Sequence, residues 1–402
     1  MILQALPDPL PRPDAMPAPD LSVRVHERLD TVADAWRRLE GETHVSLHQG
    51  FDWCKAWLCT HPAPVLIVEG LRGSETVFIL PLEIVSRQGV RTARFIASPF
   101  SNINTGLFAA ELGVLDPERL QSALRAALAG RTDLLSLTNM PLHWRGRLHP
   151  FSALDPFANQ NHAFQMPLFP SFEDTLRQVN AKRRRKKFRV QQRRLEEIGG
   201  YEIHSPHTTT EQHALLEEFF RQKAERFRAH GLPDVFREKA VQDFFHALLD
   251  APGTEEDYPL RLHGLRLKGE NDGVVLAVAG LSRKGDHVIC QFGSIRDDLF
   301  PETSPGEFLF WHLIEQACAT GAALFDFGIG DQAYKRSWCT VETVQYDVLL
   351  PVSAKGRVAA AAHRGTVRLK AAIKQNRRLY ALIQRMRSGP AKPAAEPAEN
   401  SD

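Results

Sequence analysis

The apolar positions of this chain fall into short alternating runs and longer stripes of helical spacing, and their order repeats once. The pattern predicts a strand over 21–27 and helices over 30–40 and 51–61, anchored by Trp36, Leu39, Trp53, Trp57 and Leu58. Three strand-like runs follow at 64–70, 76–86 and 91–97, then a helix over 117–129 and an apolar run at 134–137. A second stretch opens with a helical region over 171–198, stopped by Gly199 and Gly200. Beyond it come a short strand over 201–204, helices over 210–229 and 237–250, and strands over 260–268, 273–283 and 286–294. A helix over 305–320 and strands over 323–328 and 342–350 complete the series. With 171–198 set aside, both halves read strand, two helices, three strands, helix, strand, and the second half adds one strand more. Strands in series imply an antiparallel meander, and a helix between two later strands implies a parallel crossover. The expected fold is therefore mixed α/β (α+β). It has two similar domains, 21–167 and 168–352, each a mostly antiparallel mixed sheet flanked by helices.

Composition changes this picture little. The 402 residues suffice for two ordinary domains. A net charge of +2 argues against a globally basic nucleic-acid binder, although local clusters still count. Five cysteines are scattered without a C-x-x-C or a paired Cys/His spacing, which points to a reducing cytoplasm and to neither a disulfide scaffold nor a zinc site. There is no apolar run long enough for a membrane span, and the lead 1–20, with six prolines, does not read as a signal peptide. That lead and the tail 388–402 are expected to be disordered.

Chemistry concentrates in 286–338. On the helix over 305–320, Phe310, Leu313, Ile314, Ala317, Cys318 and Gly321 form one buried stripe. Ser304 reads as its N-cap, Pro305 suits the first position, and Glu307 would complete a capping box. Gly306 leaves the first turn bare, so its N–H groups could receive a phosphate, although Glu307 would compete for them. Gly328, Gly330 and Ala333 match G-x-G-x-x-A after a strand, but too few residues precede the next strand for a dinucleotide-binding helix. Cys290 on the strand over 286–294 reads as a buried structural thiol before a nucleophile. No Ser-His-Asp order, paired-carboxylate motif or HExxH is present, and no metal is expected.

The segments QFGSIRDD, SPGEFLFWHLIEQACATG and FDFGIGDQAYKRSW resemble the second domain of CelD/BcsL-type acetyltransferases of the GNAT superfamily, associated with cellulose and exopolysaccharide biosynthesis. FDWCKAWL and KRRRKKFRVQQRRLEEIGGYEI resemble the same family, and the layout is similar to FemAB-like transferases with tandem GNAT domains. The resemblance spans roughly 21–352. It implies two parallel strands, 286–294 and 323–328, splayed to admit the pantetheine arm of acyl-CoA, with Gln291, Gly293 and Ser294 along it. The pyrophosphate would lie at Ser304 and Gly306, and Lys335 would hold phosphate. The segment 302–307 departs from the usual Q/R-x-x-G-x-G/A loop. Tyr334 would be the acid for the leaving thiolate; Asp326 and Asp331 are candidate bases or acceptor-binding groups. The implied activity is acyl-CoA-dependent N- or O-acyl transfer, with acetyl as the expected group, to a small-molecule or glycan-precursor acceptor. The alternatives are aminoacyl-tRNA-dependent transfer and a catalytically degenerate binding subunit.

Two basic clusters complete the reading. Residues 182–194 hold nine Lys and Arg and no acid, either an anion site (acceptor phosphate, nucleotide-sugar, tRNA or membrane surface) or a helix face paired with acids elsewhere. Residues 353–387 predict an amphipathic helix, and 355–387 carries ten Lys and Arg without an acid. Docking on its own core is the expected role, and attachment to the inner membrane face the alternative.

Overall fold

A computed structural model describes residues 21–113 and 115–375, the side chains of 370–375 excepted. The lead 1–20, the tail 388–402 and the last part of the basic helix lie outside the described residues.

Two sheets are built on one plan. The first half supplies β1 (Leu21–His26), α1 (Ala33–Glu40), α2 (Phe51–Thr60), β2 (Val65–Arg72), β3 (Glu75–Arg87), β4 (Val90–Phe95), α3 (Pro117–Leu128) and β5 (Leu134–Pro141). Next come β6 (Ala163–Pro167), α4 (Phe172–Arg177) and α5 (Ala181–Glu197). The second half supplies β7 (Tyr201–His204), α6 (Thr209–Ala229), α7 (Lys239–Asp250), β8 (Asp257–Leu267), β9 (Val275–Lys284), β10 (His287–Ile295), α8 (Pro305–Ala319) and β11 (Leu324–Ile329). The chain continues through α9 (Ala333–Trp338), β12 (Val341–Thr343), β13 (Gln345–Pro351) and α10 (Ala354–Gln375).

The first sheet runs β1-β2-β3-β4-β5-β13 and the second β7-β8-β9-β10-β11-β6-β12. In each, four antiparallel strands are followed by a parallel crossover through one helix, as the repeated pattern predicts. The sixth position is exchanged. β6, which follows the first half in sequence, pairs with β11, and β13, which follows the second half, pairs with β5. The single run expected over 342–350 is accordingly two strands in different sheets, broken at Val344. Local periodicity cannot report such a change of partner, because both pieces alternate like any strand.

Aromatic packing joins the halves. Trp53 and Trp57 of α2 pack edge-on against Phe244 of α7, at ring distances of 5.4 and 5.2 Å. Phe100 reaches Phe236 and Phe245 from the loop after β4. The inner face of the second sheet (Leu260, Leu262, Val278, Ile289, Phe292) shares this core with the first domain. Its outer face packs under α8, where Leu313, Ile314, Ala317 and Cys318 are buried as their spacing predicts. The basic helix α10 docks, through Ala360, on Leu134 and Leu349, and Arg364 pairs with Asp155.

Candidate active site

β10 and β11 pair only through His287–Leu324, Val288–Phe325 and Ile289–Asp326. Beyond that point the strands part. On its other edge β10 stays bound to β9, with Gln291 bulged between Cys290 and Phe292. A bulge turns neighbouring side chains toward one face and bends the strand that carries it. Here it turns β10 away from β11, so the expected fork is present. Gly280 opposite the bend is required, because a Cβ there would lie 2.4 Å from the Phe292 ring.

The fork opens on a cavity of about 520 Å³ bounded by β9, the end of β10, the start of α8, and α6. Gly293, Ser294, Ser304, Gly306 and Tyr334, all expected at the site, line it. Ser304 is left-handed (φ 46°, ψ 59°) and makes no side-chain cap, and Glu307 does not close a capping box. The Glu307 carboxylate turns instead to Arg184 (3.3 Å) and Lys187 of α5. The first-turn N–H groups are thus free of a side-chain cap and could receive an anion, although Glu307 and Asp297, the latter 3.8 Å from Arg226, also line the cavity. Two cations that the sequence reading missed, Lys223 and Arg226, project from α6 into the same cavity. Lys223 occupies the apolar stripe of α6, its ammonium 6.0 Å from the Phe219 ring centroid and 5.4 Å from that of Phe227. Burial lowers its pKa, and no ion pair holds it among the described residues. A lysine in a phenylalanine stripe was the legible signal.

Tyr334 follows β11 on α9, its ring stacked on Phe310 and edge-on to Phe327. Tyr334 is 40% exposed, and the packing of its ring against these two raises the phenol pKa, so it stays protonated at neutral pH while remaining open to solvent. The other candidates are placed elsewhere. Gln291 turns to the domain interface: its Oε1 lies 3.1 Å from His48 Nε2, and its Nε2 donates to Ser282 Oγ (2.9 Å). Asp326 is fully buried on the face opposite Phe325 and Phe327, accepting from Gln165 Nε2 (2.9 Å) and the Gly328 N–H (2.7 Å). Asp331 is exposed and held by Arg336. Lys335 is buried with its ammonium donating to the Gly328 and Ile329 carbonyls (3.3 and 2.6 Å), where it ties down the end of β11 and is not among the residues lining the cavity. Burial pushes the Cys290 thiol up to about 12, so it is no nucleophile at neutral pH.

The first domain repeats the fork and fills it. β4 and β5 also share three parallel pairs, after which residues 96–106 enter the gap. Asn104 donates through its backbone N–H to Asn139 O (2.9 Å) and through Nδ2 to Thr138 O (2.8 Å). The crossover helix α3 is capped by its own Asp116, which accepts from the Arg119 N–H. Strand gap and helix start are both satisfied internally, so among the described residues the open fork is that of the second domain.

Residues 182–336 match a protein-family model described as an acetyltransferase (GNAT) domain. This segment is a GNAT-type acyltransferase domain. It holds the open fork, α8 and Tyr334. Among solved structures, the chain is similar to FemX (13% identity, TM-score 0.58, over 81% of this chain and 96% of that one). It is also similar to L-PGS from Bacillus licheniformis (11%, TM-score 0.49, over 81% and 92%). A third is a tandem GNAT protein from the clavulanic acid biosynthesis pathway (12%, TM-score 0.42, over 83% and 99%). At these identities the likeness is one of fold. No curated protein sequence matches the chain. The two domains in tandem are GNAT-like.

Proposed function

We propose that this protein transfers an acyl group, acetyl in the simplest case, from acyl-CoA directly to an amine or hydroxyl on an envelope or exopolysaccharide-related acceptor. That is the activity implied by its resemblance to CelD/BcsL-type acetyltransferases. One observation carries the reading: the fork between β10 and β11 opens beside Tyr334 onto a cavity rimmed by the uncapped start of α8. Its volume of about 520 Å³ is in the range of small-molecule sites.

In this reading the pantetheine arm runs along the edge of β10 left unpaired beyond Ile289. The pyrophosphate meets Ser304, the Gly306 N–H, Lys223 and Arg226, which together supply donors and positive charge. The acceptor nitrogen or oxygen bonds to the thioester carbon, the C–S bond breaks, Tyr334 gives its proton to the departing sulfur, and the proton shed by the acceptor passes through solvent and restores the phenol. Asp326, held by Gln165 and the Gly328 N–H, shapes the fork and does not enter the cavity.

Isothermal calorimetry with acetyl-CoA tests the donor. Gly306→Asp places a carboxylate on the first turn of α8 against the pyrophosphate, but its Cβ would lie 2.8 Å from Ile295 Cγ2, so Arg226→Gln, which removes charge without crowding, is measured beside it. Binding by the parent and weaker binding by both variants is the expected result. A parent that neither binds acetyl-CoA nor is protected by it against thermal unfolding would refute the reading.

A second reading, an aminoacyl group delivered on tRNA, is favoured by α5. Arg184, Lys187 and Arg194 are engaged by Glu307, the Ser337 carbonyl and the Glu302 carbonyl. Lys182, Arg183, Lys186 and Arg189 are exposed, with no ion pair among the described residues. Salt-sensitive RNA binding lost on their replacement by Gln would move the donor assignment. We place the enzyme in the cytoplasm. The basic α10, with Val358 and Leu369 exposed, provides a means of attachment to the inner membrane face.

A further inference from the structure

The loop over 96–106 does more than fill the fork of its own domain. Ser101 and Asn104 are buried in that fork, and Asn102 between them turns outward toward the second domain. Its carboxamide Nδ2 lies 3.5 Å from Gln291 Oε1 on β10. On the other side it abuts Gly328 of β11, whose missing Cβ would sit 2.7 Å from both Cγ and Nδ2 of Asn102. The last paired residues of the open fork are Ile289 and Asp326. Gln291 and Gly328 are each two residues beyond them. Asn102 therefore lies across the mouth of the fork like a rung, reaching it from the first domain while the cavity opens from the α8 side.

The two strands accommodate this rung by their own chemistry. Gly328 is left-handed (φ 70°) and has no side chain to exclude the carboxamide. Gln291 is fixed from behind by Ser282 and from the side by His48. Burial lowers the pKa of His48 to about 4, so it is neutral at physiological pH, and its own contacts run back into the loop at Ile103 O (3.1 Å). Asn102 itself is half-buried: it is reachable by solvent at the junction of the two domains and is not among the residues lining the α8-side cavity. A carboxamide offers one donor and one acceptor group to whatever arrives at the fork.

We infer that Asn102 closes the acceptor side of the donor fork: it holds the incoming amine or hydroxyl against the thioester and keeps water from that carbon when no acceptor is bound. The inference rests on the donor reading given above. It makes the first domain a direct wall of the reaction site and Asn102 a positioning residue.

The test needs no knowledge of the acceptor. Acetyl-CoA alone is supplied, and the free thiol released is followed with a thiol reagent. In that leak a water oxygen bonds to the thioester carbon, the C–S bond breaks, and the sulfur takes a proton, giving acetate and free CoA. Asn102→Ala should raise this leak several-fold while the calorimetric affinity for acetyl-CoA stays at the parent value. Asn102→Asp, of the same shape, should keep the leak near the parent level and so separates wall from fold. An unchanged leak in Asn102→Ala with acetyl-CoA still bound overturns the inference and leaves the donor reading standing. No acetyl-CoA binding by the parent overturns both.

Discussion

Lys223→Met removes the ammonium from the donor cavity while keeping an unbranched stem against Phe219 and Phe227. An ammonium and one phosphate charge about 4 Å apart attract by ~4 kcal/mol at an effective dielectric of about 20, which is a ceiling for an open cavity. A charge-assisted hydrogen bond is worth about 1.5–3 kcal/mol net. Affinity for acetyl-CoA should therefore fall roughly 10- to 150-fold, at about 1.4 kcal/mol per tenfold. Folding should respond in the opposite sense. Burial lowers the folded-state pKa of Lys223, so the native state holds its charge at a cost. That cost is full below the folded pKa and vanishes only as pH rises past the unfolded value. At neutral pH the methionine variant should melt at a higher temperature than the parent without ligand. Calorimetry and ligand-free thermal melts at low salt read the two effects. Unchanged affinity, or weaker affinity together with a lower melting temperature, would refute the assignment of Lys223 as a donor-site cation.

Tyr334→Phe should lower turnover by about 10²-fold or more, the usual worth of a positioned acid, with acetyl-CoA affinity unchanged in calorimetry. Arg184→Ala should destabilise the fold by about 2–4 kcal/mol in urea titrations, because this buried guanidinium lies 3.5 Å over the Trp338 ring and bonds both Glu307 and the Ser337 carbonyl. His48, His149 and His263 are buried with pKa values lowered to about 4. Each contributes stability present above its unfolded value of about 6.5 and lost as pH falls through the folded value. Near pH 5 the unfolded chain would bind up to three more protons there, a slope of ~4 kcal/mol per pH unit, and melts between pH 7 and pH 4.5 should show it. A His149→Gln variant with an undiminished slope would contradict this origin.

The sequence carried the architecture further than the site. Alternation marked the meanders, and the stripe on α8 marked the face that packs on the second sheet. What it could not carry was partner choice. Gln345 through Pro351 reads as a continuation of 341–343, yet it crosses to the first sheet, because pairing is decided by which edge lies open in three dimensions. The capping box at Ser304 failed for a related reason. Glu307 has the right spacing for a local bond, but Arg184 and Lys187, more than a hundred residues earlier, offer its carboxylate two cations. Two full cations attract the carboxylate more strongly than one backbone N–H dipole does. The family resemblance implies a phosphate ligand at Lys335, but its ammonium reaches the two carbonyls that end β11. Asn102 carried no signal at all, since its role exists only where the two domains meet.

The two forks explain why a tandem arrangement serves one reaction. A fork leaves strand-edge N–H and carbonyl groups without partners, and such groups cost free energy unless something bonds them. In the first domain the chain supplies that partner itself, through Asn104 to Thr138 and Asn139, and Asp116 caps the helix start. The first domain can therefore be rigid, and its rigid loop can carry Asn102 to a fixed place on its neighbour. Beyond Ile289 the edge of β10 has no ladder partner in β11 among the described residues, so a ligand lying there would meet strand-edge N–H and carbonyl groups. Exchange of β6 and β13 holds the rigid fork and the open one in register. The exchanged ladders fix how the two sheets sit, and the loop, tied to its own fork through Asn104 and Ser101, carries Asn102 to Gln291 and Gly328 from there.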